Sequence, residues 1–335
     1  MVKAKKIVLA SRFDGEPKLS DFKVVEEDLP PLQDGQVLCE TLWLSVDPYM
    51  RIYTQGAEAG TLMPGGVVAR IVESKAPEYP RGRFLVGYWG WRTKSVWDPR
   101  QPPAAPYPQP YLLPDFGELP LSLGVGALGM PGVTANLGLL EVCAPRAGET
   151  VVVNAAAGAV GSLVGQLARI RGCRVVGFAG SDRKVAWLKE RLGFDAAFNY
   201  KKVAVGDALA QAAPHGVHCY FDNVGGAFSH EVHQRMVTGG RVVVVGAIAG
   251  YNDGFDSVLV PMPQPVILLK ELKVQGFVVW SHAHRWLEAI QQNLQWIKEG
   301  KLLFEETVTE GFENAPQAFI GMMRGESTGK AVVKV

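Results

Sequence analysis

The stretch Glu149-Thr-Val-Val-Val-Asn-Ala-Ala-Ala-Gly-Ala-Val-Gly-Ser162 constrains the fold of this chain more than any other. Val151, Val152 and Val153 are β-branched in succession, the mark of a short strand buried on both faces. The chain then turns at once through Ala156-x-Gly158-x-x-Gly161 and enters Leu163-Val-Gly-Gln-Leu-Ala-Arg-Ile170, whose apolar spacing is helical. Strand, tight turn of small residues and helix N-terminus together form an anion cradle. Backbone N–H groups approach a pyrophosphate closely there, and the helix dipole favours its charge. Ala156 stands where the usual fingerprint has its first glycine. A second match to the glycine spacing, Gly124-Val-Gly126-Ala-Leu-Gly129, follows no strand-like run. Pro131 is expected to break any helix that starts after it, so this stretch reads as a turn near a domain junction.

A chain of 335 residues has room for two domains, each with its own core. Residues 1–122 carry short apolar runs broken by glycine and proline, at 37–44, 66–72 and 84–86, and read as β-rich. Within them, residues 97–117 hold seven prolines interleaved with tyrosine and glutamine, the composition of an extended surface loop. From 123 to 300 the rhythm changes to strand–helix alternation. Strands are expected at 150–154, 174–179, 196–199, 218–222, 241–246 and 273–279. Helices are expected at 161–171, 182–192, 203–212, 227–237 and 283–299. That alternation implies a doubly wound parallel sheet. Residues 301–335 contain Phe304-Glu-Glu-Thr-Val308, a helix near 314–324 and a closing strand at 330–335 that returns to the first domain. The ligand site expected of this plan is the cleft between the domains.

Composition removes several classes of function. The chain is 47% apolar and 20% charged with a formal net charge of +1, and its lysines and arginines are neither in excess nor clustered. No nucleic-acid footprint is present. No apolar run reaches the roughly 18 uncharged residues of a membrane span. Few apolar residues follow the opening Met-Val-Lys-Ala-Lys-Lys, so a signal peptide is not expected either. Cys39, Cys143, Cys173 and Cys219 lie far apart with no C-x-x-C pair, which fits reduced thiols in the cytoplasm. His230-x-x-His233 and His282-x-His284 have no matching cysteine or carboxylate cluster, so no metal site is expected.

The strand ends point to a cofactor. An NAD-binding sheet normally closes its second strand on Asp or Glu, which holds the ribose hydroxyls. Here Arg174-Val-Val-Gly-Phe-Ala179 runs into Gly180-Ser181-Asp182-Arg183-Lys184. Asp182 comes late and reads as a helix N-cap. Arg183 and Lys184 bring positive charge where a 2′-phosphate would lie; a solvated first helical turn is the alternative reading. The missing acid favours NADPH over NADH. The fourth strand ends in Cys219-Tyr-Phe-Asp-Asn-Val-Gly-Gly226 and the fifth in Val245-Gly-Ala-Ile-Ala-Gly-Tyr251. Asn223 can hydrogen-bond a ribose or a carboxamide, and Gly246 and Ala247 are small enough to let a nicotinamide ring pass. Turn formation accounts for Gly225 and Gly226 but poorly for Tyr251.

Five motifs, in order, carry a family resemblance: Val46-Asp-Pro-Tyr-Met-Arg51, Gly129-Met-Pro-Gly-Val-Thr-Ala135, Asn154-Ala-Ala-Ala-Gly-Ala-Val-Gly-Ser162, Tyr220-Phe-Asp-Asn-Val-Gly-Gly226 and Gly311-Phe-Glu-Asn-Ala-Pro316. Over residues 3–335 the chain resembles the prostaglandin reductases, also called leukotriene 12-hydroxydehydrogenases or alkenal/one oxidoreductases. These form part of the zinc-independent branch of the medium-chain dehydrogenase/reductases. The resemblance implies an α/β protein with a GroES-like β-rich catalytic domain, residues 1–122 and 301–335, and a Rossmann NADPH-binding domain, residues 123–300. It also implies homodimers paired through the Rossmann domains. By position, Gly158, Ala159, Val160 and Gly161 would hold the pyrophosphate, and Lys184 and Tyr200 the 2′-phosphate. Asn223, Val245, Gly246, Ala247, Ile248, Ala249, Gly250, Tyr251, Phe277, Val278, Val279 and Ser327 would line the nicotinamide half. Tyr49 would face the substrate. Ser327 stands where the family has Asn, and the proline-rich 97–117 segment is unlike the more charged stretch of the mammalian members. The zinc-dependent branch needs Cys and His ligands in its first domain, whereas residues 1–120 contain one Cys and no His.

The implied reaction is NADPH-dependent reduction of the carbon–carbon double bond of α,β-unsaturated ketones and aldehydes, such as 15-oxo-prostaglandins and lipid-derived alkenals. Oxidation of the 12-hydroxyl of leukotriene-type lipids is a further activity of the family. Without a metal, hydrogen-bond donors must hold the charge that develops on the carbonyl oxygen. Tyr251 is the candidate donor or relay; in the competing reading it is a pocket wall and water is the acid. An NADPH quinone reductase and a non-catalytic NADPH-binding protein are the alternative functions.

Overall fold

In the computed structural model, which describes residues 2–335, the chain forms two units. The first takes in residues up to Gly129, Glu306–Ser327 and Ala331–Val335; the second takes in Met130–Glu305 and Thr328–Lys330. The breaks thus fall after 129 and 305, where composition places them after 122 and 300. Local packing explains the shift. The 3-10 turn Leu121–Val125 belongs with the first unit, because Gly124 lies against Leu113, Val68 and Val86. Leu303 belongs with the second, because the buried Gln166 side chain both accepts its N–H at 2.7 Å and donates to its carbonyl at 2.9 Å.

The first unit opens with β1 (Val2–Leu9) and β2 (Phe22–Leu29), an antiparallel pair. There follow β3 (Val37–Ser45), helix α1 (Tyr49–Tyr53), β4 (Val67–Ser74), β5 (Phe84–Gly87), β6 (Lys94–Trp97) and β7 (Tyr111–Leu112). Trp91 is fully buried in this core, stacked near Phe22 at 6.4 Å and meeting Phe319 edge-on at 6.1 Å. Gly65 makes room for it, since a Cβ there would stand 2.9 Å from the indole. The proline-rich segment is more than a surface loop. Tyr107 lies flat on Tyr88, with centroids 5.3 Å apart, and reaches Tyr53 at 6.0 Å. Such long-range aromatic contacts leave no trace in local composition.

The second unit begins with helix α2 (Met130–Leu137), at the point where Pro131 is expected to forbid a helix. Pro131 occupies the first turn, where the missing N–H would have had no intrahelical partner and the fixed φ suits the helix. The helix tightens no further but widens into a π turn, Gly138–Cys143, closed by a bond from the Ala144 N–H to the Leu139 carbonyl at 2.9 Å. Then come β8 (Thr150–Val153), α3 (Gly161–Ile170), β9 (Arg174–Ala179), α4 (Asp182–Glu190), β10 (Ala196–Asn199) and α5 (Val205–Ala212). These are followed by β11 (Val217–Asp222), α6 (Gly226–Arg235), β12 (Met236–Val244), α7 (Gln264–Leu269), β13 (Lys273–Gly276) and α8 (Trp286–Lys298). The six strands lie in the order β10-β9-β8-β11-β12-β13, all parallel. This is the Rossmann order, and it reverses direction between β8 and β11.

Several ends differ from expectation. β12 begins at Met236, because that residue pairs with Val217 before an irregularity leads to Cys219 opposite Arg241. β13 stops at Gly276, where its partner strand ends at Val244, so residues 277–279 lie beyond the sheet. A 3-10 segment, Val279–Arg285, with His282 out of helical geometry, delays α8 to Trp286. α7 is not anticipated, since Pro263 and Pro265 disguise a helix start as a loop.

The chain closes with β14 (Glu306–Glu310), α9 (Ala315–Met323) and β15 (Lys330–Lys334). β15 pairs antiparallel with β3, and the seven-stranded sheet runs β14-β15-β3-β4-β5-β7, with β6 also on β3. The closing strand therefore returns to the β-rich unit as expected.

Candidate functional site

A parallel sheet delivers all its carboxyl ends to one edge. In the second unit the edge carries the turns after β8, β9, β10, β11, β12 and β13, and nearly every candidate residue lies on one of them.

The turn after β8 is tight because its residues are small. Ala155 adopts a left-handed conformation, φ 45°. Gly161 has no space for a side chain: a Cβ would stand 2.5 Å from the Ala155 carbonyl oxygen and 2.8 Å from the Ala156 Cα. Gly158 is different. The one atom near a Cβ there is the Ala155 oxygen at 3.2 Å, so a side chain would project over the open face of the turn. Ala159 and Val160 complete the link into α3, whose first bonds run from Ser162 to Gly158 and from Val164 to Val160. Gly158 also forms a parallel bridge with Gly329, whose N–H donates to the Ala157 carbonyl at 2.8 Å.

Cations gather past the end of β9. The N-cap of α4 is Ser181, not Asp182: its extended backbone lets the hydroxyl accept the Lys184 N–H at 3.4 Å. Asp182 sits in the first turn, where its carboxylate accepts from Asn199 at 2.8 Å and pairs with Lys202; these bonds hold it below the usual carboxylate range. Lys184 is 8% exposed. Burial pushes its amine below the ordinary lysine value, and the nearby charges of Arg183 and Lys201 push it further. The Arg183 guanidinium also donates to the Thr328 hydroxyl at 3.3 Å. Tyr200, half exposed, lies over Gly180 beside the Lys201 side chain.

The turns after β11 and β12 are laced together. Val245 and Gly246 donate their N–H groups to the Asp222 carbonyl at 2.8 and 3.2 Å, Ile248 donates to the Asn223 carbonyl, and Ala249 to the Val224 carbonyl at 3.1 Å. Gly246 permits this approach, since a Cβ would stand 2.8 Å from the Asn223 oxygen. The Asn223 side chain donates to the Asn154 carbonyl at 3.0 Å. Ile248–Gly250 form a 3-10 turn that delivers Tyr251, a buried side chain. Its hydroxyl oxygen accepts the Ala247 N–H at 3.2 Å, and its ring meets Phe255 edge-on.

Phe277 donates its N–H to the Val244 carbonyl at 2.9 Å and stacks on His282 with centroids 4.7 Å apart. Val278 is exposed and Val279 buried. Tyr49 and Ser327 belong to the first unit, Ser327 as the last residue of its Glu306–Ser327 segment. Tyr49 opens α1 and meets Tyr53 edge-on at 5.2 Å. Burial pushes its phenol well above the usual value, with Asp47 and the phenols of Tyr107, Tyr88 and Tyr53 adding to the effect.

Two family models match the chain, one described as the N-terminal domain of oxidoreductase over residues 5–103, the other as zinc-binding dehydrogenase over residues 159–298. Prostaglandin reductase 1 of Bos taurus is 49% identical over 343 residues, covering 100% of each chain. The chain belongs to the prostaglandin reductase family. That family is a zinc-independent branch of the medium-chain dehydrogenase/reductases. The NADPH-dependent curcumin reductase of Escherichia coli (strain K12) is 38% identical over 98% of this chain and 96% of that protein. The solved structure of CurA in complex with NADPH from Vibrio vulnificus matches with a TM-score of 0.88 at 34% identity, covering 99% of each chain.

One of the matched models is described as zinc-binding dehydrogenase. Among the described residues, no group of three or more His, Cys, Asp or Glu side chains is placed to hold a metal ion. Cys39 is buried in the first unit's sheet, and burial pushes its thiol up to about 12, away from the thiolate a metal takes. Four residues of this edge escape a reading of the sequence alone: Lys201, Asp222, Ser229 and Gly329. For Lys201 the basic pair Lys201-Lys202 after the third strand is a usable signal. Gly329 gives none, because it reaches the turn from a distant part of the chain.

Proposed function

We propose that this chain reduces the carbon–carbon double bond of α,β-unsaturated ketones and aldehydes with NADPH, 15-oxo-prostaglandins and lipid-derived alkenals and alkenones among its substrates. One observation carries the reading: a glycine turn on a helix N-terminus, followed around the next strand end by Arg183, Lys184 and Lys201, while the one nearby acid, Asp182, is engaged by Asn199 and Lys202. The names of the relatives, a prostaglandin reductase and an NADPH-dependent curcumin reductase, support it. Residues 158–161 would hold the pyrophosphate, where a Cβ at Gly158 would fill the open face of the turn. Lys184 and Tyr200 would meet the 2′-phosphate. Asn223, 245–251, 277–279 and Ser327 would hold the nicotinamide half.

NADPH, when bound, would supply a hydride to the β-carbon of the substrate, and a proton from Tyr251 or water would complete the α-carbon. The chain's own part is to orient the reactants and hold the charge that develops on the carbonyl oxygen. Tyr251 does this in our reading. Its oxygen accepts the Ala247 N–H, which fixes the phenol at the end of the 245–251 turn. Tyr49, kept protonated by burial, faces the substrate. Oxidation of the 12-hydroxyl of leukotriene-type lipids would use the same residues in the opposite redox direction.

The reading includes a homodimer through the second unit. β13 is the edge strand of its sheet and all four of its residues are exposed. Nearby in sequence, Leu259, Leu268 and Leu269 expose 90%, 76% and 79% of their surface, a large apolar area for a lone unit. It also includes the cytoplasm as compartment, supported by four unpaired cysteines. No helix of the described residues is long and apolar enough to cross a membrane.

The test is NADPH consumption by the purified protein with a 2-alkenal, an alkenone, a 15-oxo-prostaglandin and a quinone. Saturation of the enone double bond is the expected result. Turnover of the quinone alone would make the chain a quinone reductase, and binding of NADPH without turnover would make it a binding protein.

A further inference from the structure

Asp222 ends β11 with 3% of its surface exposed, and five donors converge on its carboxylate. Oδ1 accepts from Asn154 Nδ2 at 2.9 Å, the Tyr220 hydroxyl at 3.0 Å, the Val224 N–H at 3.0 Å and the Gly225 N–H at 2.9 Å. Oδ2 accepts from the Ser229 hydroxyl at 2.5 Å, and that hydroxyl lies 2.9 Å from the Tyr220 oxygen. All five donors are neutral. They replace water around a group that only accepts, so removing any of them leaves a buried acceptor poorly served.

The arrangement reaches both turns that carry proposed site residues. Because Asn154 Nδ2 is committed to Asp222 and Tyr220, its Oδ1 faces the Asn223 N–H and accepts it at 2.7 Å. The Asn154 carbonyl in turn takes Asn223 Nδ2, which leaves Asn223 Oδ1 as an acceptor suited to a hydroxyl donor such as a ribose. The Asp222 carbonyl holds Val245 and Gly246, the start of the turn that ends in Tyr251. We propose that Asp222, served by Tyr220 and Ser229, is a positioning residue for the reduction, fixing Asn223 and the 245–251 turn, an assignment that rests on the reductase reading of the same site. The carboxylate works through backbone and amide groups and needs no contact with either reactant.

Tyr220→Phe and Ser229→Ala each delete one donor and keep the carboxylate; Asp222→Asn puts an amide donor among donors. Steady-state rates with NADPH and a 2-alkenal, NADPH affinity by fluorescence, and thermal melting are read for each. Both mild variants should keep a wild-type fold and bind NADPH within about threefold of wild type, because the phosphate contacts are untouched, while kcat falls about 5- to 50-fold. The double variant Tyr220→Phe/Asn223→Ala should be slower than Asn223→Ala by clearly less than the loss Tyr220→Phe causes alone, since part of the lost donor's effect acts through Asn223. If Asp222→Asn does not fold, the two mild variants still decide. Wild-type kcat in both, or a full multiplication of losses in the double variant, would overturn the positioning role. A wild-type protein inert toward the alkenal would overturn the reductase reading together with it, whereas an active wild type with unaffected variants strikes the positioning role alone.

Discussion

Lys184 is held below its ordinary value of 10.5 by burial and by the charges of Arg183 and Lys201. A bound 2′-phosphate would favour the charged amine and restore its proton. NADPH affinity should therefore fall as pH rises through the alkaline range below 10.5, while NADH affinity stays level; titration calorimetry at stepped pH reads both. Without cofactor the unfolded chain holds this proton more tightly than the folded one, so the Lys184 contribution to stability rises with pH across the same window. Lys184→Ala should cost roughly 1.5–3 kcal/mol of NADPH binding, raising its KM about tenfold or more and leaving NADH unchanged. Equal losses for the two cofactors would refute the phosphate assignment. In the proposed reading Tyr251 makes a different kind of contact, one that would strengthen only as charge develops. Tyr251→Phe should lower kcat on a 2-alkenal by roughly 10- to 1000-fold with little change in KM. A Phe variant at full rate would reduce Tyr251 to a wall of the pocket.

At the scale of elements, the contact between α3 and β9 depends on absent side chains. Phe194 lies across Gly165 of the helix and Gly177 of the strand, where a Cβ would stand 2.0 Å and 2.6 Å from its ring. Gly165→Ala should destabilise the protein by about 1–3 kcal/mol, seen as a lower urea midpoint, and pairing it with Phe194→Leu should recover part of the loss. An unchanged midpoint for Gly165→Ala would show that the ring moves freely. Elements of this unit are legible in the sequence where their own periodicity decides them: β9 and β10 lie at the residues expected. The ends of β12 and β13 are not legible, because pairing partners decide those. The strand expected from Lys273 runs to Val279, yet β13 stops where β12 runs out. In the same way the tight turn after β8 is readable from its glycines, whereas Asp222 looks like an ordinary strand end until Asn154, Tyr220 and Ser229 fold onto it. Pro131 misleads for a local reason, since its effect depends on whether it falls in the first helical turn or later.

For the whole molecule, the β13 edge sets the next test. If a second copy covers it, light scattering should give twice the mass of one chain, and Val274→Glu with Leu268→Glu should shift the protein toward the single-chain mass. A wild-type protein of single-chain mass would remove the dimer from the proposal. The pairing of Gly158 with Gly329 has a consequence of another kind. During synthesis the turn after β8 leaves the ribosome long before its partner glycine does, and the whole Glu306–Ser327 excursion of the other unit is made in between. A nascent chain that already holds the strands and helices of 130–305 still lacks the backbone that braces this turn, and Thr328, the partner of Arg183, is missing with it. If this turn holds the cofactor as proposed, its capture would come late in the life of the polypeptide, once residue 329 has been added.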